Sequence, residues 1–113
     1  MPIFATDIAT LHTYAEGVMN RADHHAGEVK PIALALLGGI VWRADSGSIE
    51  IKQYDGGLAN VLWLTVNGRR YALAYNHKSE KIEIRDRTQS GGALHSFDNL
   101  TSVADVETIF RGL

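Results

Sequence analysis

Three stretches hold residue types that do chemistry. His24-His25, beside Asp23 and Glu28, offers imidazole and carboxylate ligands for a metal ion. Adjacent side chains on a helix point about 100° apart, so both rarely bind one ion, and the His-Glu-x-x-His spacing that would favour zinc is absent. The pair therefore reads as the polar start of a helix, and no metal is expected. His95, Ser96 and Asp98 are the residue types of a hydrolytic triad, yet within four residues of a strand their side chains diverge. No Gly-x-Ser-x-Gly elbow supports a nucleophile. His77, in the turn Tyr75-Asn76-His77, is a second candidate base. With no cysteine there is no disulfide, no thiolate and no cysteine-based zinc site. The glycine pairs at 38–39, 56–57 and 91–92 lack the Gly-x-x-x-x-Gly-Lys pattern of a phosphate loop, and no cofactor is implied.

The elements that must position these groups are clearest from Asn60 to Asp86. Asn67-Gly68 between two apolar runs predicts a type I′ hairpin, because both central residues need positive φ. That turn sets Val66 opposite Arg69, Leu64 opposite Tyr71, Leu62 opposite Leu73 and Asn60 opposite Tyr75 on one face. The other face pairs Thr65 with Arg70, Trp63 with Ala72 and Val61 with Ala74. After the polar turn 76–80, Lys81 to Asp86 alternates strictly and forms a third strand, with Ile82 opposite Tyr75 and Ile84 opposite Leu73. Ile49 to Tyr54 supplies another strand ahead of the hairpin, and Ala93 to Phe97 a fifth.

The face carrying Leu62, Leu64, Val66, Tyr71, Leu73, Tyr75, Ile82 and Ile84 is the expected core, each large side chain worth roughly 1.5–3 kcal/mol when buried. On the opposite face Trp63, Val61, Ala72 and Ala74 make an apolar centre flanked by Glu50, Lys52, Glu83 and Arg85. Such a patch is covered by something or binds something.

Thr6 can cap a first helix with Ile8, Leu11, Ala15, Val18, Met19 and Ala22 on one face. Val29, Ile32, Ala33, Leu36, Leu37 and Ile40 recur likewise, predicting a second helix from about 25 to 41. Pro31 either starts that helix or bends one beginning near Asp23. Ser102, with Asp105 three residues on, caps a last helix whose inward stripe is Val103, Val106, Ile109, Phe110 and Leu113. The expectation is one α+β domain over 1–113: two N-terminal helices, an antiparallel meander of four to five strands, and a C-terminal helix.

Net charge is −2 over 113 residues, which argues against a general nucleic-acid or membrane-surface binder. Residues 67–89 hold six basic residues against three acidic ones, a pattern that suits a solvated strand edge and discourages aggregation. The start of the chain lacks the basic and long apolar regions of a signal peptide, and the longest apolar run, Pro31 to Trp42, is too short to span a bilayer. Residence in the cytoplasm is the expectation.

The run Ile32 to Arg43, with Asn60-Val61-Leu62-Trp63, Gly68 to His77 and Leu94-His95-Ser96-Phe97-Asp98-Asn99, resembles small uncharacterised proteins encoded on bacterial integron gene cassettes. The similarity covers about residues 24–111. It implies bacterial origin, a mobile accessory role, and a tendency toward homo-oligomers that carry small-molecule pockets; it transfers no catalytic residue.

The leading expectation is a homo-oligomeric binding module in which Trp63 is an apolar anchor, Arg70 and Arg85 give charge complementarity, and Tyr75 with His77 form a polar rim. This face would make either the subunit contact or a shallow small-molecule site. The alternative is a small hydrolase or isomerase with His95 or His77 as general base and Asp98 orienting it. Nucleic-acid binding by the basic hairpin ranks last, because its aromatic residues face the core.

Overall fold

Asn67 and Gly68 have φ of 51° and 83°, both positive as a type I′ turn demands. The register that follows is the expected one: Val66 pairs with Arg69, Thr65 with Arg70, Leu64 with Tyr71, Trp63 with Ala72 and Leu62 with Leu73. The computed structural model describes residues 9, 11, 12, 15, 16, 30–54, 57–76 and 78–113. Within them the order is α1 (Lys30–Arg43), β1 (Glu50–Tyr54), β2 (Gly57–Val66), β3 (Arg69–Asn76), β4 (Lys81–Asp86), β5 (Ala93–Phe97) and α2 (Val103–Arg111). The strands lie side by side in chain order as one antiparallel sheet. This is an α+β architecture with five strands.

The turn is clamped from outside. Asp45, just past α1, accepts from the backbone N–H of Asn67 with one carboxylate oxygen and from that of Gly68 with the other, each at 3.2 Å. Its own N–H donates to the Thr65 carbonyl at 2.7 Å. The helix exit is thereby tied to the hairpin tip.

Both helices cover one sheet face. Ile32, Leu36 and Ile40 of α1 join Val106 and Phe110 of α2 against Leu62, Leu64, Val66, Tyr71, Leu73, Ile84 and Phe97. The rings of Phe97 and Phe110 stand 6.4 Å apart, centroid to centroid, and join β5 to α2. Ser102 caps α2 by accepting from the Asp105 N–H at 3.0 Å.

α1 runs to Arg43, two residues beyond the expected exit, because both following contacts reward another half turn. Ala44 N–H donates to the Ile40 carbonyl, and Arg43 Nη2 donates to the Leu113 carbonyl at 3.2 Å. Whether Pro31 starts the helix or bends it turns on residues ahead of Lys30, which lie outside the described ones. Of the two helices expected before the sheet, one is an element among the described residues. The first falls mostly outside them, although Ala9, Leu11, His12, Ala15 and Glu16 are helical and Leu11 packs against the core. No helix among the described residues is long and apolar enough to cross a membrane.

Candidate functional site

On the sheet face away from the helices, one row of cross-strand neighbours runs Glu50, Trp63, Ala72, Arg85. Ala72 is the small residue that lets an indole and a guanidinium lie on either side. The Arg70 guanidinium sits over the Trp63 ring, 5.6 Å from its centroid, and its Nη1 donates to Glu50 Oε1 at 2.8 Å. Hydrogen bonding to Arg70, and then its charge, hold the Glu50 carboxyl below the usual glutamate range.

Farther along the same face Arg85 pairs with Glu83 at 2.9 Å, the two side chains only 17% and 12% exposed. Arg85 Nη1 also donates to the Gln89 carbonyl. Lys52 Nζ donates to Gln89 Oε1 at 2.9 Å, so the β4–β5 loop is strapped to β1 across the sheet. Asn76 Nδ2 donates to Glu83 Oε2 at 3.2 Å. Among the described residues these are the groups around the apolar centre, in which Val61, Ala72 and Ala74 are buried and Trp63 half-buried.

The expected residues therefore divide. Trp63, Arg70 and Arg85 share this face. Tyr75 does not: it pairs with Ile82 and packs against the core on the helix side. Alternation puts it there, since Tyr75 is an odd number of residues from Ala72 and Ala74. His77, His24 and His25 lie outside the described residues.

His95 and Asp98 are not joined either. His95 pairs with Ile84 on the helix side, whereas Ser96 pairs with Glu83 on the other face. The Asp98 carboxylate accepts from the Leu100 N–H at 2.9 Å and stands 3.9 Å from Lys81 Nζ. Its backbone N–H donates to Thr101 Oγ1 at 3.1 Å, so the residue shapes the turn into α2. Among the described residues no three His, Asp or Glu side chains converge as a metal site.

A second surface escaped the sequence reading. On α1, Leu34 is 62% exposed, Val41 67% and Trp42 49%, and beside them on α2 Val103 is 76% exposed. Between the helices lies a cleft of about 220 Å³ walled by Ala35, Gly38, Gly39, Trp42, Val106 and Phe110. The guanidiniums of Arg43 and Arg111 stack on Trp42, 5.6 and 5.2 Å from the ring centroid. Arg111 is bonded to Glu107 at 3.0 Å, which holds the glutamate below its usual pKa and the arginine above its own. The signal was present in the sequence as a second apolar stripe, Leu34, Leu37, Gly38 and Val41, with no charged residue from Pro31 to Trp42.

Residues 11–106 match the family described as Integron cassette protein VCH_CASS1 chain. The chain belongs to this integron cassette family. The match begins ahead of the strings that carried the resemblance and takes in α1, the whole sheet and the start of α2. Both surfaces of the cassette protein, the Trp63 face and most of the α1–α2 cleft, thus lie inside the family unit. No curated protein matches the chain.

Proposed function

We propose that this cassette protein is a cytoplasmic interaction module that works as a homo-oligomer, with its subunits meeting through the outer surface of α1. One observation carries the reading: a helix without charge from Pro31 to Trp42 buries its inner stripe and leaves Leu34, Val41 and Trp42 in water. Covering each such side chain is worth on the order of 1 kcal/mol or more, and grouped exposed apolar residues mark interaction surfaces.

The Trp63 face supports this role less well. Arg70, Glu50, Arg85, Lys52 and Gln89 already satisfy one another around the indole, and a partner docking there would have to break those bonds. The apolar cleft beside Trp42 suits a small planar molecule as a secondary occupant, although at about 220 Å³ it is smaller than most ligand pockets. A hydrolase or isomerase using His95 is the weaker reading, because the Asp98 carboxylate is engaged by Leu100 and Lys81.

Light scattering on the wild type and on Val41→Glu tests the proposal. The wild type is expected at a multiple of the chain mass, and the variant at a single chain mass with an unchanged circular-dichroism spectrum. A wild type that stays at one chain mass at every concentration would refute it.

A further inference from the structure

We propose that Asn67-Gly68 is a self-modification site, at which Asn67 deamidates through a cyclic imide, and that the Asp45 carboxylate is the lock that holds this site closed in the folded chain. The inference is independent of self-association and concerns the hairpin tip alone.

The sequence supplies the reactants. Asn20, Asn60, Asn76 and Asn99 precede Arg21, Val61, His77 and Leu100, and Asn67 alone precedes a glycine. Glycine has no Cβ, so it does not shield its own amide nitrogen from the side chain before it. Asn67 and Gly68 are both exposed, and water reaches them. The Gly68 nitrogen, its proton lost to solvent base, attacks Asn67 Cγ. A C–N bond forms, the Cγ–Nδ2 bond breaks, and the departing nitrogen takes up a proton and leaves as ammonia. Water then opens the imide at either carbonyl, giving aspartate or its β-linked isomer. Water is consumed and ammonia released in equal amounts.

The folded turn holds those reactants apart. Asn67 has φ of 51°, and a type I′ turn pairs that with ψ of roughly +30°, which turns the Gly68 nitrogen away from the Asn67 side chain. Ring closure needs the bond rotated until that nitrogen and the Asn67 Cβ lie on the same side. Asp45 opposes the rotation. Its Oδ1 accepts from the Asn67 N–H and its Oδ2 from the Gly68 N–H, each at 3.2 Å. The attacking nitrogen is thus tied to a negative charge, which also disfavours the amide anion that has to form. The lock is itself anchored to β2, since the Asp45 N–H donates to the Thr65 carbonyl at 2.7 Å and the Ser48 N–H donates to the Asp45 carbonyl at 3.1 Å. Attack therefore waits for the tip to open.

The product keeps it open. The β-linked isomer adds a backbone atom to a two-residue turn whose length sets the register from Val66 and Arg69 onward. An aspartate at the same position sets a second carboxylate beside Asp45. Either change loosens the tie between the α1 exit and the hairpin.

The full chain is incubated at mildly alkaline pH, and chromatography with mass spectrometry of its peptides separates the asparaginyl, aspartyl and isoaspartyl forms of residue 67. Conversion is expected to be fast in urea, slow in the folded wild type and severalfold faster in folded Asp45→Ala. Gly39→Ala weakens the packing of α2 without touching the lock, so its folded form should convert at the wild-type rate. In Asn67→Asp, amide exchange at Gly68 should quicken; unchanged exchange there overturns the loosening. A folded wild type that converts as fast as in urea, or an Asp45→Ala no faster than the wild type, overturns the lock. Equal acceleration by Gly39→Ala and Asp45→Ala routes the reaction through global unfolding and overturns the local gate. No conversion even in urea removes the site altogether.

Discussion

The ring of Phe110 lies directly on the Cα of Gly39, so that a Cβ at position 39 would fall 2.7 Å from the ring. Phe110 is fully buried and cannot swing away without vacating the space between α1, α2 and the sheet. Overpacking of this kind costs typically 1–3 kcal/mol, against a gain of about 1 kcal/mol when alanine replaces glycine in a helix. Gly39→Ala is therefore expected to lose about 1–2 kcal/mol. Gly38→Ala, one residue away and facing open space, gains up to about 1 kcal/mol. Urea denaturation of dilute protein reads both. Equal midpoint shifts for the two variants would refute the close packing of α2 on Gly39.

Asp45 holds the hairpin tip through two turn amides, and Ser48 Oγ bonds Thr65 on the adjoining strand. Hydrogen bonds to a charged group contribute about 1.5–3 kcal/mol when sheltered and less when exposed, as these are. Asp45→Ala is expected to lose about 1 kcal/mol and to speed amide exchange at Asn67 and Gly68. Exchange measured by NMR that is unchanged at those two amides would show the clamp to be idle.

The hairpin was legible because its cause is local. Asn67-Gly68 admits one common turn, and a two-residue turn fixes every pair that follows, which is why Trp63 against Ala72 and Leu73 against Ile84 could be read in advance. The Ser102 cap was legible for the same reason. The strap from Lys52 to Gln89 was not, since those residues are 37 apart and meet only because the β4–β5 loop folds back over the sheet. Its neighbours in sequence suggest that Tyr75 belongs to the polar rim, whereas its own register, opposite Ile82, puts it on the core side. The outer stripe of α1 was hidden by the richness of the helix. When nearly every residue from 31 to 42 is apolar, periodicity names an inner face without saying that a second face remains.

The Arg70 contact sets the sign of one pH effect. Glu50 has a lower pKa folded than unfolded, chiefly because Arg70 donates to the ionised form. Its contribution to stability is fully present above the unfolded glutamate pKa and disappears as pH falls through the lower folded value. In Arg70→Gln the Glu50 pKa is expected to rise toward the ordinary value, and stability should depend less on pH across that acidic window. A carbon-detected NMR titration of the Glu50 carboxyl in both proteins measures this. A pKa that stays put on removing Arg70 would mean that the pair does not persist in solution.

Trp63 and Val41 separate the two apolar surfaces by what their loss should change. Trp63 is half-buried among Arg70, Ala72 and its own strand neighbours, so Trp63→Ala removes packing within one chain. Full burial would make that substitution cost about 3–5 kcal/mol, and half-burial should bring it to roughly 2 kcal/mol. If the proposed contact through α1 holds, the mass at moderate concentration should remain that of the wild type. Val41 is largely exposed, so Val41→Glu should leave the fold of one chain intact, yet a charge in the α1 stripe should dissociate the proposed assembly. Thermal melts paired with light scattering give both numbers for each variant. If Trp63→Ala dissociates the protein and Val41→Glu does not, the subunit contact belongs to the open sheet face and the Arg70–Glu50 and Arg85–Glu83 pairs become its polar fringe.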